Sequence, residues 1–394
     1  SDDCLDQVAY WQTENGGCVV TAKVKEERAP QRYPQDVQWL ELRSSESARD
    51  FVRRAGKVDY AVVELLTVGQ VYDRVRPPPP PAVSVVAVEA SELIDDLRRN
   101  KLYLQAGTTS IVHLPRATAR AMIGLAKTNS WPCEPDDKGQ DERSNCMNFS
   151  SLQQRARMGE KESQTKLDAF HVYWQRPELD DARDIVLERY RFEPDQPDLV
   201  EWFRQHVPST QLQVFTTRKT AERYAQEHPR HSYLFPDFAN RHVGGGVMRH
   251  GFTQEEMLFC ELPEALCAME LAQPLGRGEA LHMYHLAQHT ILDVAPDKSV
   301  TIETLDRPVL RNVLVYDSLN YSARGGHDPW SVDNLHTDLY KILAAFHVPA
   351  CKDYVLLGGN WGAGVFRPPD RVMPFSWWLE TRWLLQVLGA AANG

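Results

Sequence analysis

With 394 residues, 42% of them hydrophobic, the chain can hold one large domain or two to three ordinary ones around a sizeable core. A net charge of -10 argues against nonspecific attraction to DNA, and no apolar run approaches the roughly eighteen residues of a membrane-spanning helix. The seven cysteines (Cys4, Cys18, Cys133, Cys146, Cys260, Cys267, Cys351) are odd in number and lack CxxC pairing, which disfavours zinc and a disulfide framework. A reducing compartment, nucleus or cytoplasm, is therefore the expectation. Because the sequence begins at Ser1 rather than methionine, a targeting segment and secretion stay open.

Residues 1–110 read as a mixed, irregular region of unknown role, with apolar runs at Val62–Val71 and Val83–Val88. Between these runs Pro77–Pro81 predicts a polyproline II arm, best read as a stiff spacer. Residues 111–165 form a helical accessory segment: after Pro115, Ala119, Met122, Ile123 and Ala126 recur at helical spacing, and Glu134–Ser144 reads as a loop. Residues 166–394 make the main domain. Here the aromatic alternation of Leu167–Trp174 predicts a strand, followed by a helix over Pro197–His206 and a strand over Leu212–Thr216. A helix is expected over Pro263–Leu271, a buried strand over Asn312–Tyr316 and an amphipathic helix over Leu335–Phe346. Val355–Leu357 predicts a strand feeding Gly358-Gly359-Asn360, and a last helix spans Ser376–Ala391. Such alternation implies a layered α/β domain whose ligands sit on loops at the strand carboxyl ends.

The stretch from Asp237 to Glu256 is chemically the richest. It combines Asp237 and Asn240 with the consecutive glycines Gly244, Gly245 and Gly246 and the adjacent carboxylates Glu255 and Glu256. Consecutive glycines let backbone amides approach a ligand and form a concave nest for anions. Carboxylates beside such a nest can act on a sugar bond next to a diphosphate, with burial and a like charge raising the pKa of a general acid. In extended or loop backbone, adjacent carboxylates point to different sides, so Glu255 and Glu256 should have different partners. The helical-face spacing of His282, His285 and His289 lacks an acidic companion in a zinc pattern, and no metal is expected.

Gly244-Gly245-Gly246, seven residues, then Gln254-Glu255-Glu256 resembles the signature of the poly(ADP-ribose) glycohydrolases, and Asp237-Phe-Ala-Asn240 resembles its lead-in. Gly359-Asn-Trp-Gly-Ala-Gly-Val-Phe366 is similar to the family's second glycine loop. Weaker similarity runs from about Leu114 to the C-terminus. The resemblance implies a three-layer α/β/α macrodomain-like catalytic domain with a mainly helical N-terminal accessory region. It implies hydrolysis of ribose–ribose O-glycosidic bonds, with Glu256 transferring the proton and Glu255 holding ribose hydroxyls. By the same resemblance Asp237 and Asn240 contact the distal ribose, Gln254 orients the loop with adenosine contact open, and Glu227 faces the adenine. Gly362, Ala363, Gly364, Val365 and Phe366 would cradle the diphosphate, with Asn360 pinning that loop. Arg367-Pro-Pro-Asp370 departs from the family's Gly-Gly-Asp, and Arg367 could add a phosphate contact. The family's Gly-Tyr segment is missing from His282–Thr290, leaving Tyr284 as a core or surface residue, and its adenine-stacking strand would follow Gly394. The expected partners are poly(ADP-ribose), ADP-ribosylated proteins and ADP-ribose as product, acting on a monomer without cofactor, DNA or membrane. Two alternatives stay open: removal of single ADP-ribose units from proteins, and non-catalytic reading of ADP-ribose.

Overall fold

The computed structural model describes residues 4–13, 16–25, 40–41, 65–66, 82–83, 104–128, 147–176, 183–192, 213–217, 225, 232–249, 251–295, 299–323, 325–346 and 354–393. The polyproline segment, the Glu134–Ser144 loop, the Pro197–His206 helix and Glu227 lie outside the described residues, as do all of Val83–Val88 but its first residue and all of Val62–Val71 but Leu65–Leu66.

Three helices follow one another in the accessory region: α1 (Arg116–Lys127), α2 (Ser150–Arg157) and α3 (Lys161–Gln175). Pro115 supplies the N-cap of α1 with φ -55°, and the four apolar positions read from the sequence are all fully buried. Lys127 lies in the last turn, where the helix dipole favours a cation. Leu167–Trp174, expected to be a strand, is instead helical and belongs to α3, which runs through the boundary expected at residue 166. The buried positions Lys166, Ala169, Phe170 and Tyr173 recur every three to four residues, a helical stripe that the aromatic run obscured. Phe170 and Trp174, one turn apart, both pack on Phe149, with centroids 5.0 and 5.1 Å from it.

The described strands are β1 (Cys4–Thr13), β2 (Gly16–Lys25), β3 (Leu40–Glu41), β4 (Leu65–Leu66), β5 (Ala82–Val83), β6 (Ser110–Leu114), β7 (Ile185–Arg191), β8 (Gln213–Thr217), β9 (Ser232–Ala239), β10 (Glu279–Val294), β11 (Val300–Asp317) and β12 (Tyr354–Gly358). Thus the described residues before Leu104 are strands rather than part of a mainly helical region. β1 and β2 pair antiparallel and carry β-prone residues such as Tyr10, Trp11, Val19, Val20 and Thr21. All twelve strands join one mixed sheet, in which β6-β7-β10-β11-β9-β12 forms the central run. Neighbours from β6 to β11 are antiparallel, whereas β9 is parallel to both β11 and β12.

Side chains alternate across this sheet. On one face Tyr233, Phe235, Leu281, Met283, Val313 and Val315 join the large core built with α1, α3, α4 (Gln254–Glu261), a 3-10 turn (Pro263–Leu266) and α5 (Cys267–Leu271). The expected helix over Pro263–Leu271 is therefore split between two helical types. The intervening residues of β10 and β11 face α6 (Val332–Phe346), where His282 meets the Ala345 carbonyl at 3.1 Å and Tyr316 packs on Phe346. α7 (Phe375–Asn393) packs against α6. Helices thus cover both faces of the sheet, giving the expected layered α/β architecture.

The parallel strands β11, β9 and β12 decide where a ligand can bind. Their carboxyl ends, Asp317, Ala239 and Gly358, open onto one rim, and each continues into a loop. From β9 the chain reaches β11 on one side, then crosses to β12 on the other. This reversal is a topological switch point, where the diverging loops leave a crevice.

Candidate active site

The loop after β9 and the start of α4 form a single unit. Thr253 and Glu256 make a capping box: the Thr253 side chain accepts from the Glu256 amide, and the Glu256 carboxylate accepts from the Thr253 amide at 2.6 Å. The Thr253 hydroxyl also contacts Glu256 Oε2. Gln254 ties this helix start to β9, accepting from the Phe238 amide at 2.9 Å and donating to the Pro236 carbonyl at 2.6 Å. Beyond Leu234 no residue of β9 pairs with β12 among the described residues, so the Gln254 carboxamide completes the edge that β12 leaves. Both ends of that side chain are committed to orienting the loop.

The Glu255–Glu256 pair is helical rather than extended, and both side chains are buried. They do have different partners. Glu255 accepts from the Asn240 amide at 3.0 Å and the Gly244 amide at 2.7 Å; Glu256 accepts from the Gly246 amide at 2.9 Å. The Gly245 amide donates to the His242 carbonyl at 3.2 Å. The triplet is thus no open nest for a ligand anion, because its own glutamates and a neighbouring carbonyl occupy its amides. Gly244 and Gly245 take φ +90° and +48°, the left-handed region that glycine enters without strain. The two carboxylates converge under Gly245 rather than pointing apart: a Cβ there would sit 2.5 Å from Glu255 Oε2 and 2.7 Å from Glu256 Oε1.

Asp237, near the end of β9, is wholly enclosed, and neither carboxylate oxygen has a hydrogen-bond partner. Burial, then repulsion from Glu256, pushes its pKa well above the usual range. Burial followed by the Asp237 charge does the same to Glu255, against the lowering effect of its backbone donors. A carboxyl held above its unfolded pKa adds stability that is complete at low pH and is lost as pH climbs towards the folded value. Asp237→Asn removes that loss. Melts at pH 5 and pH 8 should show the variant gaining on wild type at the higher pH; a constant difference would count against a protonated Asp237.

The second glycine loop rises from β12. Gly359 is held by Gln386 of α7, which accepts from its amide at 2.9 Å and donates to its carbonyl. The Ala363 amide donates to the Asn360 carbonyl at 3.0 Å, and Trp378 Nε1 donates to the Gly362 carbonyl at 3.0 Å. Gly362 has φ +67°, and a Cβ there would meet Ser318 Oγ at 2.7 Å. The amides of Gly362, Gly364, Val365 and Phe366 have no acceptor among the described residues. Here, rather than at the triplet, the backbone presents donors to an anion. Arg367, a candidate phosphate contact, pairs with Asp370 at 2.9 Å and lies over the Phe375 ring.

A buried cation props this second loop. Arg382 of α7 pairs with Asp338 of α6 at 2.6 Å and lies against the rings of Trp378, Trp361 and Tyr321. Asp338 also accepts from the Leu319 amide at 3.0 Å and the Tyr321 hydroxyl at 2.5 Å, while the Tyr321 amide donates to the Phe366 carbonyl at 2.9 Å. The loops after β11 and β12 are locked together.

The histidines do not assemble. β10 is a strand, so His282 faces α6 while His289 packs against Tyr173 of α3 on the other face. Burial, then the cations Arg176, Arg120 and Arg116, push the pKa of His289 down to about 4. Among the described residues no cluster of His, Cys, Asp or Glu is placed to hold a metal. Tyr284 is a buried residue whose hydroxyl lies 3.4 Å from Glu188.

Residues 200–379 match the family model described as poly(ADP-ribose) glycohydrolase, macro domain fold. That span contains β9, α4, both glycine loops and the parallel strands between them. Over this region the chain is similar to the poly(ADP-ribose) glycohydrolases. A curated relative, poly(ADP-ribose) glycohydrolase 1 of Caenorhabditis elegans, is 47% identical over 45 residues. The aligned stretch is 11% of this chain and only 6% of that relative's length. Two supports of this candidate site are missed by the motifs alone. Thr253-Gln-Glu-Glu256 has the spacing of a capping box and was legible as one. The Arg382–Asp338 pair spans distant segments, and no local pattern marks it.

Proposed function

We propose that the chain hydrolyses the ribose–ribose O-glycosidic bonds of poly(ADP-ribose) and releases ADP-ribose. The observation that carries this reading is the carboxyl cluster: Glu255, Glu256 and Asp237 gathered at the carboxyl end of β9, beside a loop with unused backbone donors. Glycosidic cleavage passes through an oxocarbenium-like state and needs a proton on the leaving oxygen. In this reading Glu256 gives that proton to the 2′ oxygen and then takes one from the attacking water. Glu255, clamped by Asn240 and Gly244, orients the ribose hydroxyls. Burial pushes the pKa values of Asp237 and Glu255 upward, so the cluster favours the protonated form more than a free carboxylate does. The amides of Gly362, Gly364, Val365 and Phe366 hold the diphosphate, while that of Ala363 is taken by the Asn360 carbonyl. Reading without turnover would not need this cluster, so the non-catalytic alternative is the weaker one.

Labelled polymer and a mono-ADP-ribosylated protein, each incubated with the chain, test the proposal. Free ADP-ribose from polymer supports it; release only from the mono-modified protein would favour the single-unit alternative, and release from neither would leave a reader. ADP-ribose should also raise the melting temperature with occupancy, as any native-state ligand must. EDTA should change neither activity nor melting, and a loss on chelation would contradict a metal-free reaction.

A further inference from the structure

Lys166 projects from α3 into the main domain and is 1% exposed. Its Nζ donates to the carbonyls of Gly246 and Val247 at 3.2 Å each and of Arg249 at 3.5 Å. A lysine is almost never fully buried unless its charge is satisfied, and these carbonyls are its hydrogen-bond partners. They belong to the turn that carries the Gly246 amide to Glu256 Oε1. The ammonium grips the loop through its carbonyls while the carboxylate grips it through an amide. We propose that Lys166 is a positioning residue for the hydrolysis: by holding the carbonyls of residues 246–249 it fixes the Gly246 amide, and through it the Glu256 carboxylate. This rests on the function proposed above.

Two further observations fit. Burial lowers the pKa of Lys166, and the acids facing it, including Glu256, Glu162 and Glu160, work against that loss. The side chain stands in the apolar stripe with Ala169, Phe170 and Tyr173, where an aliphatic residue would satisfy packing alone. Among the described residues Lys166 makes no hydrogen bond to the other loop, which would hold the diphosphate; its three partners all lie in the first loop.

The split between turnover and affinity follows. Lys166→Met keeps the aliphatic volume and removes the donors. It should lower kcat on polymer by about 10- to 100-fold, the scale of an ångström-level misplacement, while the Kd for ADP-ribose stays within about threefold. Lys166→Arg, which keeps charge and donors, should recover most of the lost kcat. In a Glu256→Gln background, Lys166→Met should cost the residual rate nothing more, because the group it positions is already gone. Should the Met variant fail to fold, Lys166→Gln, which keeps amide donors on a shorter side chain without the charge, should show a smaller kcat loss with the Kd for ADP-ribose still within about threefold. A wild-type kcat in the folded Met variant, an equal loss of kcat and affinity, or an additive loss in the double variant would overturn the proposal. Wild-type protein that binds ADP-ribose but leaves polymer intact would instead overturn the functional reading, and this inference with it.

Discussion

Glu256→Gln should lower kcat on polymer at least about a hundredfold, because one positioned general acid typically contributes 10²–10⁴-fold. On the transition-state scale that is about 2.7 kcal/mol or more. The fold should tolerate the change. Glutamine at this position of a capping box still accepts from the Thr253 amide, so the helix start persists. What is lost is the contact with the Gly246 amide, where the new NH2 would face a donor, a cost on the order of 1–3 kcal/mol for a buried group left unpaired. ADP-ribose binding should survive, since the Gly362–Phe366 loop is untouched. Turnover and calorimetric titration on one preparation check both halves. Wild-type turnover in the variant would end the assignment of Glu256 as the acid.

How much of this was legible follows the range of the interactions. α1, the core of β11 and the run from β12 into its glycine loop are local patterns, and the sequence marks them with Pro115, the Asn312–Tyr316 run and Gly358-Gly359. Leu167–Trp174 misled because eight residues of closely spaced aromatics fit two periods; the burial of Ala169, Phe170 and Tyr173, together with Lys166 just before the run, shows the helical one. The motifs mark candidate site residues, but they do not show the wiring of those residues. Gln254 bonds β9 across sixteen residues to Phe238 and eighteen to Pro236, and Asp338 meets Arg382 across 44. Such partners depend on the packing of whole elements, which no local window contains.

The nest shows how a correct motif can carry the wrong physical reading. Glycine triplets offer amides, and an anion does fill them, but two of the three serve the chain's own carboxylates. A negative group at these amides and at the first turn of α4 is favoured for the reason that a phosphate would be. Under the proposed function, the protein holds its acids by the interaction expected for the substrate and leaves the diphosphate to the second loop. The division keeps the acids fixed whether or not substrate is bound, and pre-set catalytic groups need no reorganisation at the moment of reaction.

That division makes Gly245 the most sensitive backbone position in the site. From the sequence, a methyl group there would intrude on a ligand and leave the fold nearly intact, with ADP-ribose binding weakened about tenfold. The structure redirects the clash. At φ +48° an alanine is strained by roughly 1–2 kcal/mol before any contact is counted. Its Cβ would then lie 2.5 Å from Glu255 Oε2 and 2.7 Å from Glu256 Oε1, inside contact distance of both. Neither carboxylate can swing aside without surrendering the amides of Asn240, Gly244 or Gly246. Gly245→Ala should therefore lose kcat at least about a hundredfold, the penalty for displacing a group from attack geometry. It should also melt clearly below wild type, and ADP-ribose affinity should fall less than kcat because the diphosphate loop lies elsewhere. A thermal melt beside turnover and titration separates the cases. Loss of affinity alone, with stability and kcat intact, would return the triplet to the role of a ligand nest and place the carboxylates away from Gly245.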